Sequence, residues 1–454
     1  MKRVAIVGGG IAGVTAAYAL ASSGEPVEAV LFEASGRLGG IVETVRERGF
    51  VIECGPDGWV TEKPWAQELA EELGLGGEVI SSNDATRKTY ILKNGALVAM
   101  PDGMRMMVPG DLGTVDASSL FSDTAKRAFH EELTRTAELM ASAPENDESV
   151  ASFVRRHFGD EVLDTVGAPL LSGVFGGDVE TLSVRAVMGP FVAMERQYGS
   201  LIRATRVRAT AGTRPVFTTL RSGVGALVEG MVAAIPCSWV RLGTAVSSLT
   251  RTGDGWSVGT AAGDEEFDVV LLAAPVDVAG ALLRGSDEQA AELMRMEASS
   301  AVVVAFGFLE SFVLPGGFGF LVPPGGAGDS LLAATFVDQK FDGRVPEGGR
   351  LLRAFFGGAV GARLLGASDE AVTVLAREQL ERILGPLPGA AVTVVRRWPR
   401  SLPQYAVGHL ERMAELDELV RGMGRIWLLG NGYRGVGLPD LIRDARSAVR
   451  ECLG

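Results

Sequence analysis

Cysteine and histidine are scarce in this chain of 454 residues, which contains three of each. Cys54, Cys237 and Cys452 lie far apart and form no Cys-x-x-Cys pair. The sequence therefore predicts reduced cysteines that are buried as apolar residues, and it excludes a disulfide framework or a dithiol site. The three histidines are equally scattered, so no metal centre is expected.

Long apolar runs and clusters of positive charge are also missing. No uninterrupted apolar stretch reaches the roughly 18 residues that span a bilayer, because acidic residues, glycines and prolines interrupt residues 269–283 and 301–323. The net charge of −13 disfavours nucleic acid as a partner. We expect a cytoplasmic protein of two or three domains, free in solution or in peripheral contact with the inner face of the membrane.

A glycine-rich fingerprint opens the chain. The β-branched run Val4–Val7 predicts a buried parallel strand, residues 8–13 fit G-x-G-x-x-G, and a helical stretch of small residues follows. Gly8 permits the tight turn, Gly10 lets a pyrophosphate approach the backbone, and Gly13 lets the helix pack closely on the strand. This arrangement predicts a dinucleotide site.

The residues around this fingerprint support the same interpretation. Ile11 and Ala12 open the helix, whose N-terminus would face the phosphates. The next predicted strand, Val27–Phe32, is followed by Glu33, about 20 residues after the last glycine. An acid at this offset accepts hydrogen bonds from a ribose hydroxyl, and its negative charge disfavours the 2′-phosphate of NADP. The alternatives are a glycine turn without a ligand and a signal peptide, since two basic residues precede an apolar run.

The segment after this acid narrows the choice of cofactor. Residues 33–40 resemble the flavin-binding signature of the amine oxidase superfamily, E-A-x-x-R-x-G-G, which includes Ala34. Arg37 supplies a positive charge, and Gly39 and Gly40 let a second loop approach the pyrophosphate. The resemblance favours FAD over NAD, and an ordinary surface turn is the alternative.

Further motifs resemble one family within this superfamily from end to end. The sequence Gly55-Pro56-Asp57, followed by Lys63-Pro64, is typical of the protoporphyrinogen/coproporphyrinogen oxidase family. Later segments that resemble its patterns, in order, are residues 90–101, 172–183, 317–323, 398–409 and 430–440.

The resemblance implies an α/β fold, with a Rossmann-like FAD-binding domain, a mixed-sheet substrate domain and a helical insertion. The implied FAD-binding domain comprises residues 1–85, 206–290 and 396–454. The implied substrate domain comprises residues 86–104 and 291–395. The helical domain, residues 105–205, docks on membranes in the family, and a solvated helical lid is the alternative.

Motif positions imply further cofactor contacts. The Gly55-Pro56-Asp57 loop would turn its amides towards the flavin, and Val246 matches a valine that the family places against the adenine. A C-terminal helix would direct its N-terminus at the flavin, and the residues implied there are Gly430, Val436, Gly437 and Leu438. A plain turn and a core valine are the alternatives.

The family resemblance also implies a substrate clamp. An apolar clamp for a flat macrocycle would consist of Leu321, Leu332 and Phe355, and the backbone at Gly173 and Gly177 would line the pocket. Ordinary core roles are the alternative for all five residues.

One position departs from the family pattern. Eukaryotic-type members carry an arginine before the aromatic residue of a hairpin, where it pairs with a propionate. That position is Thr89 here, and strand alternation places Arg87 on the same face and Lys88 on the other. Together with the C-terminal G-V-G-x-P-D segment, this departure favours the bacterial coproporphyrinogen branch.

The implied activity is a six-electron oxidation of a porphyrinogen to a porphyrin in heme biosynthesis. Coproporphyrinogen III is favoured over protoporphyrinogen IX, with FAD as cofactor, molecular oxygen as electron acceptor and hydrogen peroxide as product. No catalytic residue is assigned, because the cofactor carries the chemistry. The product would pass to the next heme-pathway enzyme. The alternatives are a flavin amine oxidase, a carotenoid desaturase and a non-enzymatic lipid carrier.

Periodicity predicts several further elements. Helices are expected over Thr124–Met140, Val150–Phe158 and Asp369–Leu384. Val240–Val246 is expected to form one strand of a hairpin region.

Overall fold

The computed structural model describes residues 1–208, 215–324 and 330–454. Residues 209–214, within the second segment predicted for the FAD-binding domain, lie outside the described residues, as do residues 325–329 of the predicted substrate domain. The predicted α/β class is confirmed, because helices pack on a parallel sheet and on a separate mixed sheet.

A five-stranded parallel sheet is built around the N-terminal fingerprint. Its central strands are apolar and buried on both faces, as expected for a covered parallel sheet. In spatial order the strands are Val240–Arg241, Val27–Phe32, Lys2–Val7, Val269–Leu272 and Ile426–Leu428. Since all of them run parallel, the loops at their carboxyl ends meet at one edge.

Helices and a small sheet cover this parallel sheet. One face carries the helices Ile11–Ala21, Trp65–Glu72, Gly225–Ala234 and Leu438–Leu453. The other face carries the helices Val276–Leu283, Glu288–Leu293 and His409–Met423. A three-stranded antiparallel sheet packs on that second face and consists of Val246–Thr252, Gly255–Thr260 and Gly263–Phe267.

A seven-stranded sheet forms the second body of β-structure. In spatial order its strands are Val392–Pro403, Ala298–Phe308, Arg350–Phe356, Ala333–Phe336, Gly319–Leu321, Thr89–Lys93 and Ala96–Ala99. Neighbours run antiparallel except Gly319–Leu321 and Thr89–Lys93. One face packs on the helices Gly358–Leu364 and Asp369–Leu384, and a short helix, Val337–Lys340, follows one strand.

Two small antiparallel sheets pack on the apolar cores of the larger sheets. Thr44–Glu47 pairs with Phe50–Glu53. A further three-stranded sheet consists, in spatial order, of Trp59–Val60, Phe217–Leu220 and Val79–Ser81.

Residues 104–208 form a helical layer with its own apolar core. A short hairpin, Met104–Arg105 with Val108–Pro109, leads into it. Its helices are Leu112–Ala117, Asp123–Thr134, Thr136–Ser142, Val150–Phe158, Asp160–Val162, Ala168–Phe175, Val184–Tyr198 and Leu201–Arg208. Among the described residues of the chain, no helix is both long and apolar enough to cross a membrane.

Three sequence predictions are wrong in detail. Cys237 was expected to be buried but is exposed, in contrast to Cys54 and Cys452. The helix predicted over Thr124–Met140 is divided at Arg135, which ends one helix and caps the next. The single strand predicted over Val240–Val246 is divided by a turn at Gly243, where φ is +62°. Backbone bonds to the loop after Val27–Phe32 hold this turn, so long-range contacts override the local strand pattern.

Candidate functional site

The fingerprint glycines form a turn that is closed on one side and open on the other. A Cβ on Gly8, where φ is +107°, would lie 2.6 Å from the carbonyl oxygen of Ala273, and one on Gly13 would lie 1.9 Å from the Gly8 carbonyl oxygen. In contrast, a Cβ on Gly10 would meet no atom within 4 Å. Gly10 is the N-cap of the helix that Ile11 begins, so free N–H groups border this open space, as an anion requires.

A second glycine loop borders the same space. The Gly39 N–H donates to the carbonyl oxygen of Gly9 at 2.8 Å. Arg37 donates to three carbonyl oxygens of its own loop, those of Leu38, Gly40 and Val42. Arg37 therefore fixes the shape of the loop, a role that the signature alone did not reveal.

Glu33 ties the second strand to the turn. Its two carboxylate oxygens accept hydrogen bonds from the N–H groups of Gly9 and Ser35, each at 2.7 Å. Each oxygen keeps a lone pair with which to accept a ribose hydroxyl. The Thr244 N–H donates to the Glu33 carbonyl oxygen at 2.8 Å, which brings the start of the strand that contains Val246 beside this acid. Ala34 is exposed in the same loop.

The C-terminal loop closes the same edge of the parallel sheet. Gly430 has φ +126° directly after the strand region, and Gly437 is the N-cap of the helix that begins at Leu438. Val436 precedes this cap. Because this helix packs against Ile11–Ala21, two helix N-termini open at one edge, and both favour an anion there.

Tyr405 fastens the C-terminal loop. Its hydroxyl donates to the Asn431 carbonyl oxygen at 2.6 Å and accepts from the Gly435 N–H at 3.1 Å. The His409 ring stacks on the Tyr405 ring with centroids 3.8 Å apart. Burial lowers the pKa of His409 to about 4, so this ring is neutral at neutral pH and serves as a packing surface.

We expect Tyr405→Phe to lower the free energy of unfolding by about 1–2 kcal/mol, because two peptide groups lose their partner. Tyr433→Phe is the matched control, since the Tyr433 hydroxyl is buried and has no partner among the described residues. Urea unfolding of both variants checks this expectation. Equal losses in the two variants would contradict the anchoring role of Tyr405.

The Gly-Pro-Asp loop packs on the second glycine loop. A Cβ on Gly55 would lie 2.0 Å from the Ile41 carbonyl oxygen. The Asp57 carboxylate lies 2.8 Å from the Lys340 ammonium and 3.5 Å from the Arg353 guanidinium. Burial opposes ionisation of Asp57, but these two cations prevail and lower its pKa. The carboxylate is therefore held in its charged form.

One face of the seven-stranded sheet lies against this loop. Residues paired across strands share a face, and two neighbouring rows of pairs are relevant. The first row is Thr89, Gly319, Thr335 and Arg353, and the second is Ile91, Leu321, Ala333 and Phe355. The structure thus brings three predicted substrate residues, Thr89, Leu321 and Phe355, to the face that carries Arg353.

The two predicted pocket glycines have different surroundings. A Cβ on Gly173 would lie 3.8 Å from Leu321 Cδ2, so the helical layer approaches the sheet there. A Cβ on Gly177 would overlap the Gln404 side chain, whose Nε2 donates to the Phe175 carbonyl oxygen at 2.8 Å. The space beside Gly177 is therefore filled by protein.

The remaining predicted substrate residues lie at the margin of the sheet. Leu332 precedes the strand Ala333–Phe336, and its Cδ1 lies 2.6 Å from the position of a Cβ on Gly357. Arg87 and Lys88 are exposed just before the strand that begins at Thr89.

Comparison with known proteins places this arrangement in a family. The family model described as flavin containing amine oxidoreductase matches residues 11–453. The chain belongs to this family. The predicted family resemblance and the predicted cofactor are confirmed, and this flavin containing amine oxidoreductase is an FAD-dependent enzyme.

Relatives of this flavin containing amine oxidoreductase match it over its full length. A coproporphyrinogen III oxidase of Bacillus subtilis (strain 168) is 34% identical over 470 residues, with 100% of this chain and 98% of that protein covered. A protoporphyrinogen oxidase of Homo sapiens is 29% identical, with 100% and 98% covered. A solved structure from Exiguobacterium sp. 255-15, provisionally named a protoporphyrinogen oxidase, has a TM-score of 0.87 and 32% identity, with 99% and 98% covered.

The residues at the edge of the parallel sheet fit FAD. No protein atom lies within 4 Å of a Cβ on Gly10, two helix N-termini border this open space, and Glu33 retains acceptor capacity, which is the cradle that the pyrophosphate and ribose of FAD would need. Within the described ranges, no group of three or more His, Cys, Asp or Glu side chains is arranged to hold a metal.

Proposed function

We propose that this flavoenzyme oxidises coproporphyrinogen III to coproporphyrin III in heme biosynthesis. The observation that carries the proposal is the placement of half-buried Leu321 and Phe355 in one cross-strand row, on either side of Ala333. This row lies beside the Gly55 loop and opposite Gly173. A flat, largely apolar macrocycle suits such a face. The names of the relatives support the porphyrinogen class.

The proposed mechanism assigns positioning roles to this chain. Leu321 and Phe355 hold the macrocycle flat, and the helix that contains Gly173 covers it and excludes water. Arg87 and Lys88, exposed at the margin, attract the propionates of the substrate. The bound FAD would supply the hydride acceptor. Molecular oxygen is the proposed final electron acceptor and would be reduced to hydrogen peroxide.

The division into domains is part of the same proposal. Residues 1–85, 206–290 and 396–454 would bind FAD, with Val246, the Gly55-Pro56-Asp57 loop and the C-terminal loop as contacts. The remaining segments would bind the porphyrinogen and cover it. Cytoplasmic location, peripheral membrane contact of the helical layer and hand-over of the product stay predictions.

Parallel assays with the two porphyrinogens test the substrate. We expect purified, flavin-loaded protein in air to oxidise coproporphyrinogen III faster than protoporphyrinogen IX, because the exposed cations favour the more anionic substrate. Porphyrin fluorescence follows both reactions. Faster oxidation of protoporphyrinogen IX would support the second candidate, a protoporphyrinogen oxidase, which the human relative favours. Oxidation of neither compound would reject the proposed function.

We expect Phe355→Ala to raise KM for coproporphyrinogen III about tenfold, which corresponds to a loss of about 1.4 kcal/mol of binding free energy. The ring is half-buried, so its removal leaves the fold intact. The flavin absorption spectrum should change little. Phe355→Leu is the conservative control, and steady-state kinetics that match the wild type would remove Phe355 from the clamp.

A further inference from the structure

Five buried or largely buried charges lie where the Gly-Pro-Asp loop meets the seven-stranded sheet. They are two acids, Glu53 and Asp57, and three cations, Lys340, Arg344 and Arg353. Arg344 pairs with Glu53 at 3.2 Å, and Lys340 pairs with Asp57 at 2.8 Å. Arg353 is therefore the cation in excess, although it is only 1% exposed.

The contacts of Arg353 connect two predicted functional regions. Its Nη2 donates to the Gly55 carbonyl oxygen, and its guanidinium carbon lies 4.9 Å from the centre of the Phe355 ring. Its Nη1 lies 3.5 Å from the Asp57 carboxylate. One guanidinium thus touches both the loop predicted to face the flavin and the residue predicted to clamp the substrate.

Burying a cation in excess lowers the stability of the fold, so a functional reason for the position of Arg353 is expected. Burial of a charge without a matched partner is strongly unfavourable. The Arg353 Nε is also buried and has no hydrogen-bond partner among the described residues. Because Gly55 packs directly on Ile41, next to the second glycine loop, the excess charge lies at the flavin side of the sheet.

We propose that Arg353 is a positioning residue that fixes the Gly55 loop for FAD and Phe355 for the macrocycle at the same time. Its charge also favours the more negative, reduced form of the cofactor. The part that concerns Phe355 rests on the proposed function. The part that concerns FAD rests on the contact with Gly55.

Three variants of the flavin-loaded protein test this proposal. Arg353→Met removes both the charge and the fork-shaped donor, and Arg353→Lys keeps the charge alone. Arg350→Met is the matched control. Arg350 lies on the same strand and pairs with Asp338 at 2.8 Å, but it makes no hydrogen bond or ion pair with Gly55 and no ring contact with Phe355. The measurements are the FAD dissociation constant, the flavin midpoint potential, and kcat and KM for coproporphyrinogen III.

We expect Arg353→Met to weaken FAD binding about tenfold and to raise KM more than it lowers kcat. Its midpoint potential should fall by about 30 mV, a tenfold change for a two-electron couple. Arg353→Lys should restore the potential but not KM, and Arg350→Met should match the wild type in all four quantities.

Two results would overturn the proposal. One is unchanged FAD affinity and potential in Arg353→Met, and the other is an equal effect of Arg350→Met. If the wild type oxidises neither porphyrinogen, the proposed function fails separately. FAD affinity and midpoint potential then decide the role of Arg353 towards the cofactor.

Discussion

Gly10→Glu is expected to fold normally and to lose FAD. A side chain at Gly10 meets no protein atom within 4 Å, so the fold accommodates it. The new carboxylate, however, would occupy the space proposed for the pyrophosphate. Two like charges about 4 Å apart repel by roughly 4 kcal/mol at an effective dielectric constant of about 20, which corresponds to about a thousandfold loss of affinity.

The matched control for this variant is Gly422→Glu. Gly422 is exposed in the helix His409–Met423, and a side chain there also meets no atom within 4 Å. Flavin absorbance of the purified proteins distinguishes the two variants, and circular dichroism checks their folding. A yellow Gly10→Glu protein would contradict the assignment of the nucleotide site.

Arg344→Met is expected to lower the free energy of unfolding by about 3–5 kcal/mol, the usual cost of removing one partner from a buried ion pair. Arg344 donates to Glu53 at 3.2 Å and to the Thr219 hydroxyl at 2.7 Å, and both charged side chains are buried. Denaturant unfolding measures the loss. The double variant Arg344→Met with Glu53→Gln removes the unpaired acid and should recover part of it. A double variant less stable than the single one would contradict this account.

The loss in Arg344→Met should increase with pH. Burial raises the pKa of Glu53 above its ordinary value of 4.5, although Arg344 opposes this rise. Without Arg344 the folded-state pKa rises further. Below pH 4.5 the acid is protonated in both the folded and unfolded states, so the variant loses least there. As pH increases through the raised folded-state pKa, Glu53 must ionise in the folded variant without its partner, and the variant becomes progressively less stable relative to the wild type. A loss that is constant from pH 4 to pH 8 would contradict the assignment to Glu53.

Elements with strong local signals were predictable from the sequence. Val27–Phe32, Val150–Phe158 and Asp369–Leu384 have the predicted bounds. Ser149 and Ser368 cap the two helices through side-chain hydrogen bonds, and such caps are local features. The strand is apolar and short, which is also visible locally.

Elements shaped by distant contacts were not predictable in the same way. The turn at Gly243 depends on hydrogen bonds from Gly243 and Thr244 to Ser35 and Glu33. The periodicity of residues 240–246 gives no indication of these distant partners. The division at Arg135 lies inside a segment with continuous helical periodicity, so that periodicity did not indicate where one helix ends and the next begins.

The candidate site shows the same contrast. Gly8, Gly10 and Gly13 were identified because their spacing is a local consequence of a strand, a turn and a helix. Arg353 carried no local signal, since Gly55 and Asp57 are about 300 positions away in the chain. A buried arginine in an apolar strand is a weak hint, and only the fold shows what it contacts.

Anaerobic mixing of the flavin-loaded protein with coproporphyrinogen III tests the central claim most directly. We predict that the visible flavin absorption disappears while coproporphyrin III fluorescence stays low, because one FAD accepts only two of the six electrons. Admission of air should then restore the flavin absorption and let the fluorescence develop, since oxygen takes up the electrons of every round. This result would show that electrons pass from the porphyrinogen to FAD. An unchanged flavin spectrum with an excess of coproporphyrinogen III, in protein that a chemical reductant still bleaches, would contradict the proposed function.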